Sequence, residues 1–344
     1  MAEGNNNPTV TISTISILKV LFIMLLLWFL FAIKEIILVF LISLIIASAI
    51  DPLADWLYKR KIPRGISVLL VYLFFIGLIT LIVSLLVPPV TEQFRQIGRA
   101  DFYETFSNRV GSFRDTLNNM GIGDTLEDNI KNAISGFSSS LFQTTKGVLN
   151  GFVSVITVLA ISFYLTVEEN GMKNLIRNLT PYKHQSYIKD LVNRIQKKMG
   201  AWVLGQIILS AIIFGLTYLG LTILGVEFAL VLAVIAGVLE IIPYIGPMIS
   251  VVPAVFFAFI QNPALAVAVL ILYIVVQQLE NHILVPVVMS KSVGLNPIIV
   301  ILGILIGGTL AGVIGAIIAV PVISGISIFV SDVLNEKEML EQGS

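Results

Sequence analysis

The chain has 344 residues, 57% of them hydrophobic and 12% charged, with 21 basic side chains balancing 21 acidic ones. With a mean hydropathy of +0.96, this composition excludes an ordinary soluble domain and predicts an all-α, polytopic transmembrane protein. Zero net charge supplies no field for nucleic acid, and the lack of cysteine excludes disulfides, thiol nucleophiles and thiolate metal sites.

A membrane-crossing helix needs about 20 apolar residues. Residues 1–14 form a polar tail. The block from Ile15 to Ile50 is too long for one pass, and Lys34-Glu35 divides it into two spans. A third span runs from Ile66 and stops at Pro88-Pro89, so residues 15–90 hold spans one to three. Residues 91–147 are polar overall, yet Phe94, Ile97, Phe102, Phe106, Val110, Phe113, Leu117 and Met120 recur at spacings near three and four. Asp124 and Glu127 then read as a capping box opening a second amphipathic helix. The expectation is an extramembrane helical hairpin whose two stripes pack together; a subunit contact and a lid over the pore are the alternatives.

Span four occupies 148–167. Residues 168–200 form an amphipathic segment, with Ile188, Leu191, Val192, Ile195 and Met199 on one face and Arg194, Lys197 and Lys198 on the other. Such a helix can lie along an anionic leaflet. Residues 201–333 hold spans five to eight: Ala201 to Leu224, Phe228 to Ile260, Ala264 to Val288, and Leu295 to Val333. As one straight helix the last block would measure about 58 Å, roughly twice the hydrocarbon thickness. It must bend, re-enter or divide, and Gly307-Gly308 is the expected place. The count is about eight spans with broken or re-entrant helices, its parity left open by two blocks that are candidate helical hairpins, followed by a tail over 334–344. Lys59, Arg60, Lys61 and Arg64 after span two, and the basic 168–200 segment, place both termini in the cytoplasm and 91–147 outside.

The run Glu240-Ile-Ile-Pro243-Tyr244-Ile-Gly246-Pro247 stands inside an apolar segment. Two prolines and a glycine break a helix, and a broken helix with a carboxyl at membrane depth persists where the freed groups line a cavity. Transport sites in many secondary carriers are built this way. A proline-kinked helix with Glu240 at an interface is the plainer alternative. Further polar residues at membrane depth are Gln206, beside Gly205, and the group Gln277, Gln278, Glu280, Asn281 and His282. Gln277 shares a helix face with Glu280 and Asn281. Gln, Asn and Glu together can hydrogen-bond a small hydroxylated solute, and a desolvated carboxyl among them can carry a proton. For Glu280 and His282 the alternative is a polar helix end at the headgroups. Glu168-Glu169 and Asp51-Pro52 read as solvated helix ends, and the small residues from Gly303 to Ala319 as a packing stripe.

The chain carries no HExxH, no GxxxxGK[ST] and no GxGxxG opening a soluble helix, and His184 and His282 have no metal-ligand spacing. It therefore reads as not an enzyme, with no cofactor and no metal.

At these positions the sequence resembles the autoinducer-2 exporter family of bacterial membrane proteins. The resemblance rests on Phe163-Tyr164 before Glu168-Glu169, Gly205-Gln206, the Glu240–Pro247 run, Glu280, the run from Pro286 through Lys291 and Gly294 to Pro297, Gly307-Gly308 with Gly312, and Gly315 to Pro321. Asn296 departs from the histidine many relatives carry before that proline. The resemblance implies a multipass carrier of the bacterial inner membrane that is homo-oligomeric, a pentamer being one such arrangement. Some relatives are linked to export of the quorum-sensing furanone and others to sodium (lithium)/proton antiport.

The first functional reading is a secondary exporter of a small polar metabolite such as autoinducer-2, coupled to protons. Its site would be Glu240, Gln206, Tyr244, Gln277, Glu280 and Asn281, with Pro243, Gly246 and Pro247 supplying unwound backbone. Partners are then the solute, protons or Na+, and the bilayer. An Na+(Li+)/H+ antiporter is the alternative, against which stands a single clearly internal Glu. A non-transporting scaffold comes last, because the broken helix has no purpose in it.

Overall fold

Peptide groups find no partner in hydrocarbon, so a chain of this composition satisfies them inside helices. The computed structural model describes residues 14–97, 152–168, 180–289 and 296–342, and no strand occurs among them. The helices are α1 (Thr14–Ala32), α2 (Lys34–Tyr58), α3 (Arg64–Ile97), α4 (Phe152–Val167), α5 (Gln185–Ile223), α6 (Ala229–Leu239), α7 (Ile245–Gln261), α8 (Pro263–Leu279), α9 (Val285–Met289) and α10 (Pro297–Gln342). A single 3-10 turn, Tyr182–His184, precedes α5, and a π-helical turn, Glu280–Leu284, joins α8 to α9. Among the described residues, five stretches are long and apolar enough to cross a membrane: 34–58, 64–93, 182–223, 263–289 and 297–335. The shorter apolar helices are α1, α4, α6 and α7. The protein is thus a polytopic helical membrane protein.

Several expected boundaries differ from the structure. The turn expected at Lys34-Glu35 is a bend at Ile33: Ile33 donates to the Phe29 carbonyl and Ile37 to that of Ile33, so the ladder runs on without reversing the chain. Pro88 and Pro89 lie inside α3 instead of ending it. Nearby, Ser84 Oγ donates to the Leu81 carbonyl and Thr91 Oγ1 to that of Pro88, the kind of side-chain bond that lets a membrane helix carry proline. The expected outer hairpin lies outside the described residues, apart from 91–97, which continue α3. The amphipathic 188–199 stretch is not a separate surface helix but the first part of α5, which is continuous over 39 residues.

The block from Phe228 to Ile260 is not a kinked span but a helical hairpin. Phe228, at its start, meets Phe257 ring to ring at 5.4 Å. At the other end Gly246 packs on the Leu239 carbonyl so closely that a Cβ there would collide with it. The limbs, α6 of 11 residues and α7 of 17, rise about 16 and 26 Å, so neither reaches across a bilayer on its own.

The last block folds back in the same way. Its bend falls at Ala311 and Gly312, four residues after the expected Gly307-Gly308. Gly312 has φ +61° and ψ −146°, a conformation open essentially to glycine alone. Gly307 and Gly315 face each other backbone to backbone, and Gly303 faces Ile323, so the limbs of α10 are antiparallel near the bend. The glycines predicted to mark the bend instead allow the limbs to approach.

The two hairpins reach the middle of α5 from opposite ends. The base of the first clusters with Leu221, near the end of α5, through Phe228, Ala229, Phe257 and Ala258. The second limb of α10 runs alongside the start of α5, with Ile195 at van der Waals distance from Gly325. There Arg194 holds Asp332 through both guanidinium NH groups, and the Tyr187 hydroxyl adds a 3.1 Å bond. The side of α5 bearing Gly200 packs on α2, where a Cβ would strike the Ser48 carbonyl. α2, α3 and α4 are tied by Arg64, which reaches Asp51 and Asp55 at 2.6 Å each and the Thr166 carbonyl at 3.0 Å. Asp51, expected to be a solvated helix end, is therefore part of an ionic clasp.

Candidate functional site

The site is built at the tip of the first hairpin. α6 ends because Pro243 cannot donate to the ladder, and the chain turns through residues 240–244. Tyr244 takes a positive φ of 65°. Gly246 then lets the start of α7 come down onto Leu239, and Pro247 falls in the first turn of α7, where a missing N–H costs nothing. This arrangement drives Glu240 inward, leaving it only 1% exposed.

Three elements converge on Glu240. From α5, the buried Gln206 amide donates a short hydrogen bond to the Glu240 backbone carbonyl. Gly205 beside it leaves room for Met289 of α9, whose sulfur would lie 2.7 Å from any Cβ at that position. From the π-helical turn, Glu280 is buried beside Glu240, close enough for the two carboxyls to interact directly. Gln277 Nε2 of α8 donates to Glu280 Oε2 at 3.2 Å. The π turn has a local cause: Pro286 cannot donate to the His282 carbonyl, and the loosened ladder takes up an extra residue.

No cationic side chain contacts either carboxyl among the described residues. Two unit negative charges 4 Å apart repel by about 4 kcal/mol at an effective dielectric constant near 20. A carboxyl–carboxyl contact is therefore a hydrogen bond only while one oxygen carries a proton. No hydrogen-bond donor reaches Glu240 Oε2 among the described residues. No group of three His, Cys, Asp or Glu is gathered among them either.

The structure brings Glu240, Gln206, Glu280 and Gln277 together, with Pro243, Gly246 and Pro247 shaping the tip. It does not bury Tyr244 or Asn281, both of which are exposed. Asn281 is linked to the group only by a 3.5 Å contact from Gln277. His282 sits outside as well, its Nδ1 on the Gln278 carbonyl. Asn296 is a helix cap, accepting from the Ile298 amide at 2.9 Å ahead of Pro297.

Two residues absent from the sequence-based site belong to its wall. Trp202 and Ser210 lie four residues either side of Gln206 and so share its face of α5. Trp202 joins Ile242 of the tip, Met289, and Val300, Ile304 and Val320 of the second hairpin in one apolar cluster. The Ser210 carbonyl meets Gly237 of α6, one turn before the tip, and its hydroxyl is buried without a partner among the described residues. The four-residue spacing around Gln206 is the signal that would have found both. A cavity of about 400 Å³ lined by Gly220, Ile223, Leu224, Ala268, Ile271 and Leu272 lies elsewhere, between α5 and α8, and contains none of these polar groups. Glu240, Glu280 and Gln206 are all buried, so this polar cluster is covered in the structure.

Comparison with known proteins bears on the same stretch of chain. The model of the AI-2E family transporters matches residues 17–335. YrrI of Bacillus subtilis is 26% identical over 296 residues, 84% of each chain. YueF of the same organism is 25% identical over 311 residues, covering 84% of this chain and 83% of its own. A Mycobacterium tuberculosis relative is 30% identical over 306 residues, covering 85% of this chain and 81% of its own. All three are provisionally named transport proteins, and none is named for a substrate. With a family match that spans both hairpins and every candidate site residue, the chain belongs to the AI-2E family of membrane transporters.

Proposed function

We propose that this transporter is a secondary exporter of a small polar metabolite, autoinducer-2 or a compound of like chemistry, working in a bacterial inner membrane as a homo-oligomer with both termini cytoplasmic. The observation that carries the reading is the buried polar cluster at the hairpin tip. Gln206, Gln277 and the two carboxyls supply donors and acceptors for a hydroxylated solute, and the tip covers them. Hairpins approaching from opposite ends of α5 allow such a site to be uncovered on one side at a time, as alternating access requires.

An Na+(Li+)/H+ antiporter is the second reading, and one observation favours it. The sequence offers a single clearly internal Glu, whereas the fold buries Glu280 against Glu240, a pair of oxygens able to exchange a proton for a small cation.

Proteoliposomes with an imposed pH gradient distinguish the two readings. Proton movement is followed on adding autoinducer-2, sodium or lithium separately, with Glu240→Gln as control. Signal-dependent flux that the variant loses supports export. A response to cations alone makes antiport the primary activity, and no response to any solute overturns both.

A further inference from the structure

Glu240 and Glu280 belong to different elements. The first rides on the tip of a hairpin whose limbs are too short to cross a membrane, and the second on a π-helical turn of the long α8–α9 rod. Their contact is therefore a fastening between the tip and the wall behind it. We propose that the Glu240–Glu280 pair is a binding site for one proton that latches the tip of the first hairpin closed, and that losing this proton releases the tip. The inference rests on the transport reading, since a latch matters only where the tip gates a solute.

Three independent features support it. The carboxyls meet in a region sealed from water, where an ionised pair has neither solvent nor a counter-charge. The side chains facing them are neutral donors: Gln206 from α5, bonded to the Glu240 backbone, and Gln277 from α8, bonded to Glu280 Oε2. Asn281 and His282 are exposed, Asn281 engaged by Gln277 and His282 by the Gln278 carbonyl, so both lie outside the pair's contacts. Finally, Glu240 Oε2 is buried and reached by no donor among the described residues. A single shared proton removes the repulsion and gives the pair its hydrogen bond. When it passes to water, two carboxylates are left in contact, and the tip must move or water must enter.

Apart from the Gln206 bond to the Glu240 carbonyl, the tip is held through an apolar face. Ile242 lies among Trp202, Ile304 and Val320 and is 8% exposed, and Val300 on the facing hairpin is 4% exposed. Opening the tip therefore exposes Ile242 and Val300, which gives a direct reporter.

The chain has no cysteine, so Ile242→Cys supplies a single thiol under the tip, and Val300→Cys reads the same gap if the first variant fails to fold. The full chain in neutral-lipid nanodiscs is labelled with a water-soluble maleimide between about pH 5 and pH 9. Rates are divided by those of Tyr182→Cys, a position 91% exposed, to remove the thiol's own ionisation. The corrected rate should climb about tenfold or more across this range. Glu240→Gln and Glu280→Gln, whose amides keep donating at every pH, should hold the rate low and flat. A flat profile without those substitutions, or the same climb with Glu240→Gln in place, overturns the latch. Labelling needs no solute, so a failed flux assay and a failed latch are separate results.

Discussion

Gly246→Ala adds one methyl group where the first hairpin turns. The new carbon would collide with the Leu239 carbonyl and would also lie 3.1 Å from the Glu240 nitrogen. All three of its nearest neighbours are backbone atoms, so no rotamer change relieves the clash. Overpacked core positions cost about 1–3 kcal/mol. Because a hairpin closure must open to make room here, the upper end applies, about 3 kcal/mol. At the roughly 2–4 °C per kcal/mol of larger domains, this is a fall of about 6–12 °C in apparent Tm. Gly308→Ala is the matched control: nothing lies within 4 Å of its Cβ, and alanine is the better helix former by about 0.5–1 kcal/mol. Thermal unfolding of the purified protein in one detergent, followed by intrinsic fluorescence, compares the two. Equal stability of Gly246→Ala and the unsubstituted chain would refute the close packing at the tip, and with it the inward placement of Glu240.

Gln206→Ala leaves the buried Glu240 carbonyl without its donor, and should lower stability by about 1–3 kcal/mol in the same assay. Gly312→Ala forces an L-residue to φ +61° and ψ −146°, a strain of about 1–3 kcal/mol; protein yield and Tm should fall together, whereas Gly308→Ala loses neither. Arg64→Ala strips charge-assisted bonds from Asp51, Asp55 and the Thr166 carbonyl, which should cost about 2 kcal/mol. Limited proteolysis should then cut the α2–α3 connection at lower protease concentration.

Much of the architecture is legible in the chain. The break after Glu240 is signalled by Pro243, Gly246 and Pro247, and the excess length of the final block by simple rise per residue. The clasp at Arg64 was hidden, because a basic residue next to Lys59, Arg60 and Lys61 reads as part of a topogenic cluster. The π turn was equally hidden, because Glu280 and Asn281 stand one position apart and both look available from a helical wheel. The extra residue accompanies a buried Glu280 and an exposed Asn281.

By itself the sequence determined the solvent and the class. Apolar residues in runs of this length leave the peptide groups no choice but helices, and the Pro243–Pro247 run marks where one of them stops, although Pro88 and Pro89 do not stop α3. Only the tertiary structure decided which way the stopped helices turn. Antiparallel return depends on close approaches, Gly246 onto Leu239 and Gly307 onto Gly315, whose partners are set by the bend and not by any periodicity. That return carries Glu240 to Glu280 and to Gln206, residues far apart along the chain. Two carboxyls in mutual contact arise from long-range packing, which local hydropathy does not encode.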